Sequence, residues 1–135
     1  MTIFEKIIAR EIPADIIYED EYVLAFLDIH PNSKGHTLII PKKVFVNIFD
    51  ADEEVAGHMM KIAKKIALVL KETVGATGVN LVMNNGDDAG QEVCHAHLHV
   101  IPRHKDDGVY KPPQHTSYEE GEASELAEHI KKAMS

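Results

Sequence analysis

Cysteine occurs once in 135 residues, at Cys94, so no intrachain disulfide can form, and the chain fits a reducing compartment. Basic residues are outnumbered: 14 Lys and Arg stand against 22 Asp and Glu, a formal net charge of −8. That balance excludes broad electrostatic binding to nucleic acid or to an anionic membrane, yet it leaves room for a local pocket that takes a small anion. No apolar run approaches the ~20 residues of a membrane span, and no basic-plus-apolar leader opens the chain, so a cytoplasmic location is expected. Internal repeats and low-complexity linkers are also missing. One domain over 1–135 is therefore expected, large enough to bury a hydrophobic core.

The pattern of apolar residues supplies the elements. Thr2 and Glu5 frame a capping box that opens a short helix with Ile3, Phe4, Ile7 and Ile8 on its apolar side, and Pro13 ends it. Residues 16–18 and 23–27 read as a hairpin around Glu19-Asp20-Glu21. Residues 28–35 are a loop by their Pro, Asn, Ser and Gly content, and 36–40 form a third strand stopped by Pro41. Over 51–74 Val55, Met59, Ile62, Ile66 and Leu70 recur at helical steps behind a cap formed by Asp50 and Glu53, with Gly75 as terminator. Strands are expected at 79–83 and 95–101, separated by a polar glycine-bearing loop at 84–90. A loop through Pro112 and Pro113 leads to a last helix at about 124–132. Short connections and one inserted helix imply an α+β fold with an antiparallel sheet.

The chemistry is concentrated in Gln91-Glu92-Val93-Cys94-His95-Ala96-His97-Leu98-His99-Val100-Ile101. Side chains alternate across a strand, so His95, His97 and His99 share one face while Ala96, Leu98 and Val100 bury the other. A polar exposed face is the plainest reading. A zinc site is the second, but alternate strand residues lie ~6.7 Å apart and the outer pair ~13 Å. Three ring nitrogens so spaced hardly converge on one ion at ~2.0–2.1 Å, and no Cys-x-x-Cys accompanies them. The third reading is nucleophilic attack by imidazole on phosphorus, since a neutral histidine needs no prior ionisation and a flanking histidine can bind phosphate or deliver a proton. Gly86 and Gly90 allow a backbone that offers N–H groups to an anion, and Gln91 adds a neutral amide. This third reading fits best.

Gln91-x-Val93-x-His95-x-His97-x-His99-Val100-Ile101 resembles the histidine triad (HIT) signature. Thr2-Ile3-Phe4, Lys6-Ile7-Ile8, Glu11-Ile12-Pro13-Ala14, Tyr18-Glu19-Asp20-Glu21, Ala25-Phe26-Leu27-Asp28-Ile29 and Gly35-His36-Thr37-Leu38-Ile39-Ile40-Pro41-Lys42 are similar to its nucleotide-binding branch. The likeness implies a five-stranded antiparallel sheet with one long helix and short terminal helices, a homodimer, and a variable C-terminal segment at 105–135. It implies a nucleotide hydrolase or transferase that acts on AMP-type phosphoramidates through a nucleotidyl-histidine, with no cofactor. Hydrolysis of dinucleoside polyphosphates and non-catalytic nucleotide sensing are the alternatives.

By the same resemblance His97 is the nucleophile, His99 holds the α-phosphate and protonates the leaving group, His95 orients the nucleophile, and His36 supports the three. Gln91 and the backbone of Gly90, Glu92 and Val93 hold phosphate oxygens. Asp28 accepts from ribose hydroxyls, Asn84 approaches the phosphate or sugar, and Ile3, Phe4, Ile7, Phe26, Leu27 and Ile29 line the base slot. Without the resemblance Ile3, Phe4, Ile7 and Phe26 read as ordinary core. Many relatives carry a hydroxyl residue at position 92; a carboxylate beside phosphate is repulsive, so Glu92 is expected to contribute only its N–H. Thr2, Glu5 and Val44 stand where a zinc-bearing branch has its ligands, so no structural metal is expected. His30, His104 and His115 are expected to be plain surface residues.

Overall fold

The computed structural model describes residues 1–109 and 111–135; Tyr110, within the loop expected before Pro112, lies outside them. Thr2 opens α1 (Ile3–Ile8) with both halves of the capping box in place. Five strands follow in the order β1 (Ile16–Glu19), β2 (Val23–Leu27), β3 (Thr37–Pro41), β4 (Gly78–Val82) and β5 (Leu98–Arg103), with α2 (Glu53–Thr73) between β3 and β4 and α3 (Glu122–Met134) at the end. The strands form one antiparallel sheet in the spatial order β1-β2-β3-β5-β4. The expected α+β class and five-stranded antiparallel sheet are what the chain adopts.

Strand alternation divides the interior in two. Val23, Ala25, Ile39, Leu98 and Val100 face α2, whose Met59, Ile62, Ala63, Ile66 and Leu70 are buried against them. Leu24, Phe26, Leu38 and Ile40 point through the opposite face and meet Phe4 and Ile7 of α1. Gly35 lets the turn into β3 press on α2: its φ is +100°, and a Cβ there would stand 3.0 Å from Leu70 Cδ2.

Two local expectations are corrected. The cap of α2 is Asp52, whose side chain accepts from the Val55 N–H. Asp50 instead closes the preceding loop by accepting from the N–H groups of Val46 and Asn47. The histidine strand also starts three residues later than its alternation suggests and runs on through Arg103. Pairing of β3 with β5 covers Thr37↔Val100 to Ile39↔Leu98 and stops there. Further along, Pro41 has no N–H to give, its carbonyl is taken by the His95 ring, and the Ala96 N–H turns to Phe45 O. Residues 91–97 therefore run as a tethered loop, yet their sidedness survives: Ala96 joins the α2 core while the histidine rings lie on the α1 side.

Candidate functional site

Four imidazoles converge on the α1 face, and hydrogen-bond partners of fixed polarity assign their protons. His95 is fully buried. Its Nε2–H donates to Pro41 O at 2.9 Å, and its Nδ1 accepts from the Thr2 hydroxyl at 3.0 Å. His97 Nδ1–H donates to the carbonyl of His95 at 2.8 Å. A carbonyl can only accept, so the neutral His97 ring carries its proton on Nδ1 and its lone pair on Nε2. The His97 ring stands 5.1 Å from Phe4 and 5.0 Å from His99, edge-on to both, and 9% of the residue is exposed.

His36 and His99 form the second pair. The Asn32 backbone N–H donates to His36 Nδ1 at 3.0 Å, so neutral His36 holds its proton on Nε2 and gives it to His99 Nδ1, 2.9 Å away. His99 is thereby left with its own proton on Nε2. Asp28 Oδ2 lies 3.7 Å from His36 Nε2, and Asp28 Oδ1 accepts the His30 N–H. Asp28, His36 and His99 could be taken for a metal cluster from proximity. The bond polarity argues against it, because His36 Nε2 bears the proton an ion would have to displace while Asn32 occupies Nδ1.

Burial pushes the His99 pKa down to about 4, helped by the neighbouring His97 and His36 and opposed by Asp28. Burial also lowers His95 and His36, against the opposing pull of Pro41 O and Asp28 respectively. These three rings are therefore neutral near pH 7. A cavity of about 410 Å³ lies beside His99 and is also lined by Asn84, Asn32, Asn80, Ile101 and Arg103.

The expected base-slot residues do not all arrive together. Phe4, Ile7 and Phe26 share one buried cluster, and its Phe4 stands edge-on to His95 and His97. Leu27, next to Phe26 in β2, must face the other way, and it lines a separate apolar cavity beneath α2 with Tyr18, Thr37 and Ile66. Ile29 is 77% exposed and Ile3 49% exposed, so neither is enclosed in that cluster. His104 is not a free surface residue: its Nε2–H donates to Val74 O at 3.0 Å. His30 and His115 are exposed.

Gln91 also differs from its expected role. Its Nε2 donates to Val46 O and Val93 O, and its Oε1 accepts from Asn47 Nδ2 and the Gly86 N–H. With all four positions taken, the amide staples the 43–50 loop to the 84–93 loop and has none spare for phosphate. The Gly90 and Gln91 N–H groups are engaged by Asp87 O and Gly86 O. Among the described residues those of Glu92 and Val93 have no protein partner, and the Glu92 side chain is exposed. Val93 packs beside the α1 cluster. The contacts of Thr2, Asn32 and Asn47 had no signal in the sequence beyond a helix cap and two loop residues.

This arrangement can direct an unprotonated Nε2 at an electrophile while a neighbouring ring presents an N–H. The family model for the HIT domain matches residues 9–106. The chain belongs to the HIT family. An uncharacterized HIT-like protein of Methanocaldococcus jannaschii is 52% identical over 108 residues, 80% of this chain and 83% of that protein. The purine nucleoside phosphoramidase of Escherichia coli K12 is 44% identical over 103 residues, 74% of this chain and 85% of that protein. A crystal structure of a HIT family member from Bacillus subtilis superposes with a TM-score of 0.88 at 39% identity, covering 97% of this chain and 95% of the other. The HIT family model begins after α1, so Thr2 and Phe4 lie outside it although they touch the histidines. Membership makes this chain a HIT-type nucleotide hydrolase.

Proposed function

We propose that this HIT protein hydrolyses purine nucleoside 5′-phosphoramidates, with a nucleotide carried covalently on His97 between two displacements. The tautomer of His97 carries the reading: its Nδ1–H is committed to His95 O, which leaves Nε2 as the attacking atom. The name borne by the Escherichia coli relative supports the substrate class.

In the first step His97 Nε2 bonds to the α-phosphorus and the phosphorus–nitrogen bond to the amine breaks. The departing electron pair stays on the amine nitrogen, which takes a proton from His99 Nε2. A ring with a pKa of about 4 is neutral before substrate binds; the anionic phosphate loads the acid by favouring protonated His99. His36 then carries its own proton on Nδ1 and accepts from His99 Nδ1–H with Nε2, giving up the Asn32 N–H bond. The nucleotidylated His97 ring is cationic, and the His95 carbonyl on its Nδ1–H disperses that charge. In the second step water attacks phosphorus while His99 takes its proton. The bond to His97 Nε2 breaks and returns its electron pair to the ring. The products are amine and nucleoside monophosphate, and both histidines regain their starting states.

In this reading the Phe4, Ile7 and Phe26 cluster backs the base, Asp28, part-exposed beside His36, accepts from the ribose hydroxyls, and Asn84, which lines the cavity beside His99, approaches the phosphate or sugar. The free N–H groups of Glu92 and Val93 bind phosphate oxygens in place of the Gln91 amide. Homodimerisation through β4 fits this chain: β4 is an edge strand, and its Leu81 lies beside exposed Met60 of α2. A cytoplasmic location agrees with the exposed free thiol of Cys94.

The test is turnover of adenosine 5′-phosphoramidate against diadenosine polyphosphates by the purified chain and by His97→Ala. Preferred cleavage of the phosphoramidate, abolished in the variant, is expected. Preference for the polyphosphates would reassign the substrate. Activity retained in the variant would remove the nucleophile.

A further inference from the structure

The histidine cluster is fastened at one point that lies outside both the sheet and the matched HIT region. Thr2 Oγ1 accepts the Glu5 N–H at 3.1 Å as the cap of α1, and it stands 3.0 Å from His95 Nδ1, 93 residues away. The direction of that second bond follows from the other end of the ring. His95 Nε2 must carry the proton it gives to Pro41 O, so Nδ1 is a lone pair and the threonine hydroxyl is its donor.

We propose that Thr2 is a positioning residue for the chemistry at His97: by donating to His95 Nδ1 it fixes the residue whose carbonyl holds the His97 Nδ1–H. The inference rests on the reading of His97 as nucleophile.

Three observations support it. The His95 ring is fully buried and has one partner at each nitrogen, so Thr2 and Pro41 together leave it no freedom to rotate about its side-chain bonds. The His95 carbonyl is the group that sets both the tautomer and the plane of His97. Phe4, two residues after Thr2, packs edge-on against His95 at 5.6 Å and His97 at 5.1 Å, so displacement of the α1 N-terminus disturbs both rings. Without the hydroxyl, a buried lone pair on Nδ1 goes unsatisfied and the 95–97 backbone shifts to relieve it. A nucleophile displaced by even an ångström loses much of its advantage.

Thr2→Val, Thr2→Ser and Glu5→Ala separate positioning from helix capping. Valine keeps the shape and loses the hydroxyl. Serine keeps the hydroxyl. Glu5→Ala breaks the other half of the capping box and leaves the bond to His95 intact. Thr2→Val is expected to lower kcat roughly 10-fold or more with KM little changed, and Thr2→Ser to restore most of it. Glu5→Ala should lower Tm with kcat retained. Nitrogen-15 spectra of the imidazoles, which need no turnover, should show His97 purely as the Nδ1–H tautomer in wild type and Thr2→Ser, and as a mixture in Thr2→Val. Unchanged His97 spectra and kcat in Thr2→Val, with only Tm reduced, would reduce Thr2 to a helix cap. A wild-type protein with the expected spectra but no turnover would leave the positioning intact and sink the hydrolase reading instead.

Discussion

His36 Nε2 and His99 Nδ1 stand 2.9 Å apart, and the Asn32 N–H on the far side of the His36 ring decides which nitrogen gives and which accepts. The proton on His99 Nε2 is thus set by a backbone amide two bonds removed. His36→Leu deletes the donor, leaves His99 Nδ1 unsatisfied and frees the ring to exchange tautomers. The expected result is a kcat reduced roughly 10- to 100-fold, as for other residues that orient a reacting imidazole, with a smaller change in KM. Steady-state kinetics on the phosphoramidate measures the split.

Two buried histidines and the part-buried His99 tie folding to pH. His36, His95 and His99 all have folded-state pKa values below the ordinary 6.5. The unfolded chain therefore binds protons that the folded chain does not, and stability falls as pH drops through 6.5. His99, with its pKa of about 4, contributes a loss of about 2 kcal/mol between pH 7.5 and pH 5, and the other two act in the same direction. Urea unfolding at the two pH values should show it. Equal stability at both would mean that these rings are protonated in the folded protein.

Gln91 is a staple between loops, so its loss is read first in stability. Gln91→Ala leaves partners of four hydrogen bonds unmatched, including Val46 O and the Gly86 N–H. A loss of about 3 kcal/mol is expected from denaturant curves. Gln91→Glu removes both donations to carbonyls and should be no milder. A variant that keeps wild-type stability but loses phosphate affinity would return Gln91 to direct phosphate contact.

The sheet, the long helix and the two faces of 95–100 were legible because side-chain period and loop residues report them directly. Strand alternation also separates Phe26 from Leu27, and the family likeness that put both in one base slot conflicts with it: Phe26 meets Phe4 while Leu27 looks under α2. The late start of β5 was hidden, since it depends on a carbonyl of Pro41 captured by a side chain 54 residues away. The role of Gln91 and the reach of Thr2 to His95 are likewise contacts between distant segments that no local pattern encodes.

Leu27 and Phe26 offer a direct test of that separation. Phe26→Ala should raise KM for the nucleotide several-fold as well as destabilise the chain, by about 3–5 kcal/mol. Leu27→Ala, at a half-buried site on the other face, should cost about 1–2 kcal/mol and leave KM unchanged. A KM effect at Leu27 equal to that at Phe26 would place both side chains against the base.

The central claim is a phosphorus–nitrogen bond at one ring. Intact-mass measurement after mixing the chain with adenosine 5′-phosphoramidate, with His99→Ala used to slow release, reads it directly. The expected result is one AMP adduct per chain, mapped to the peptide containing His97 and missing when His97 is also replaced. An adduct on another residue, or turnover by wild type with no adduct in the slowed variant, would contradict it.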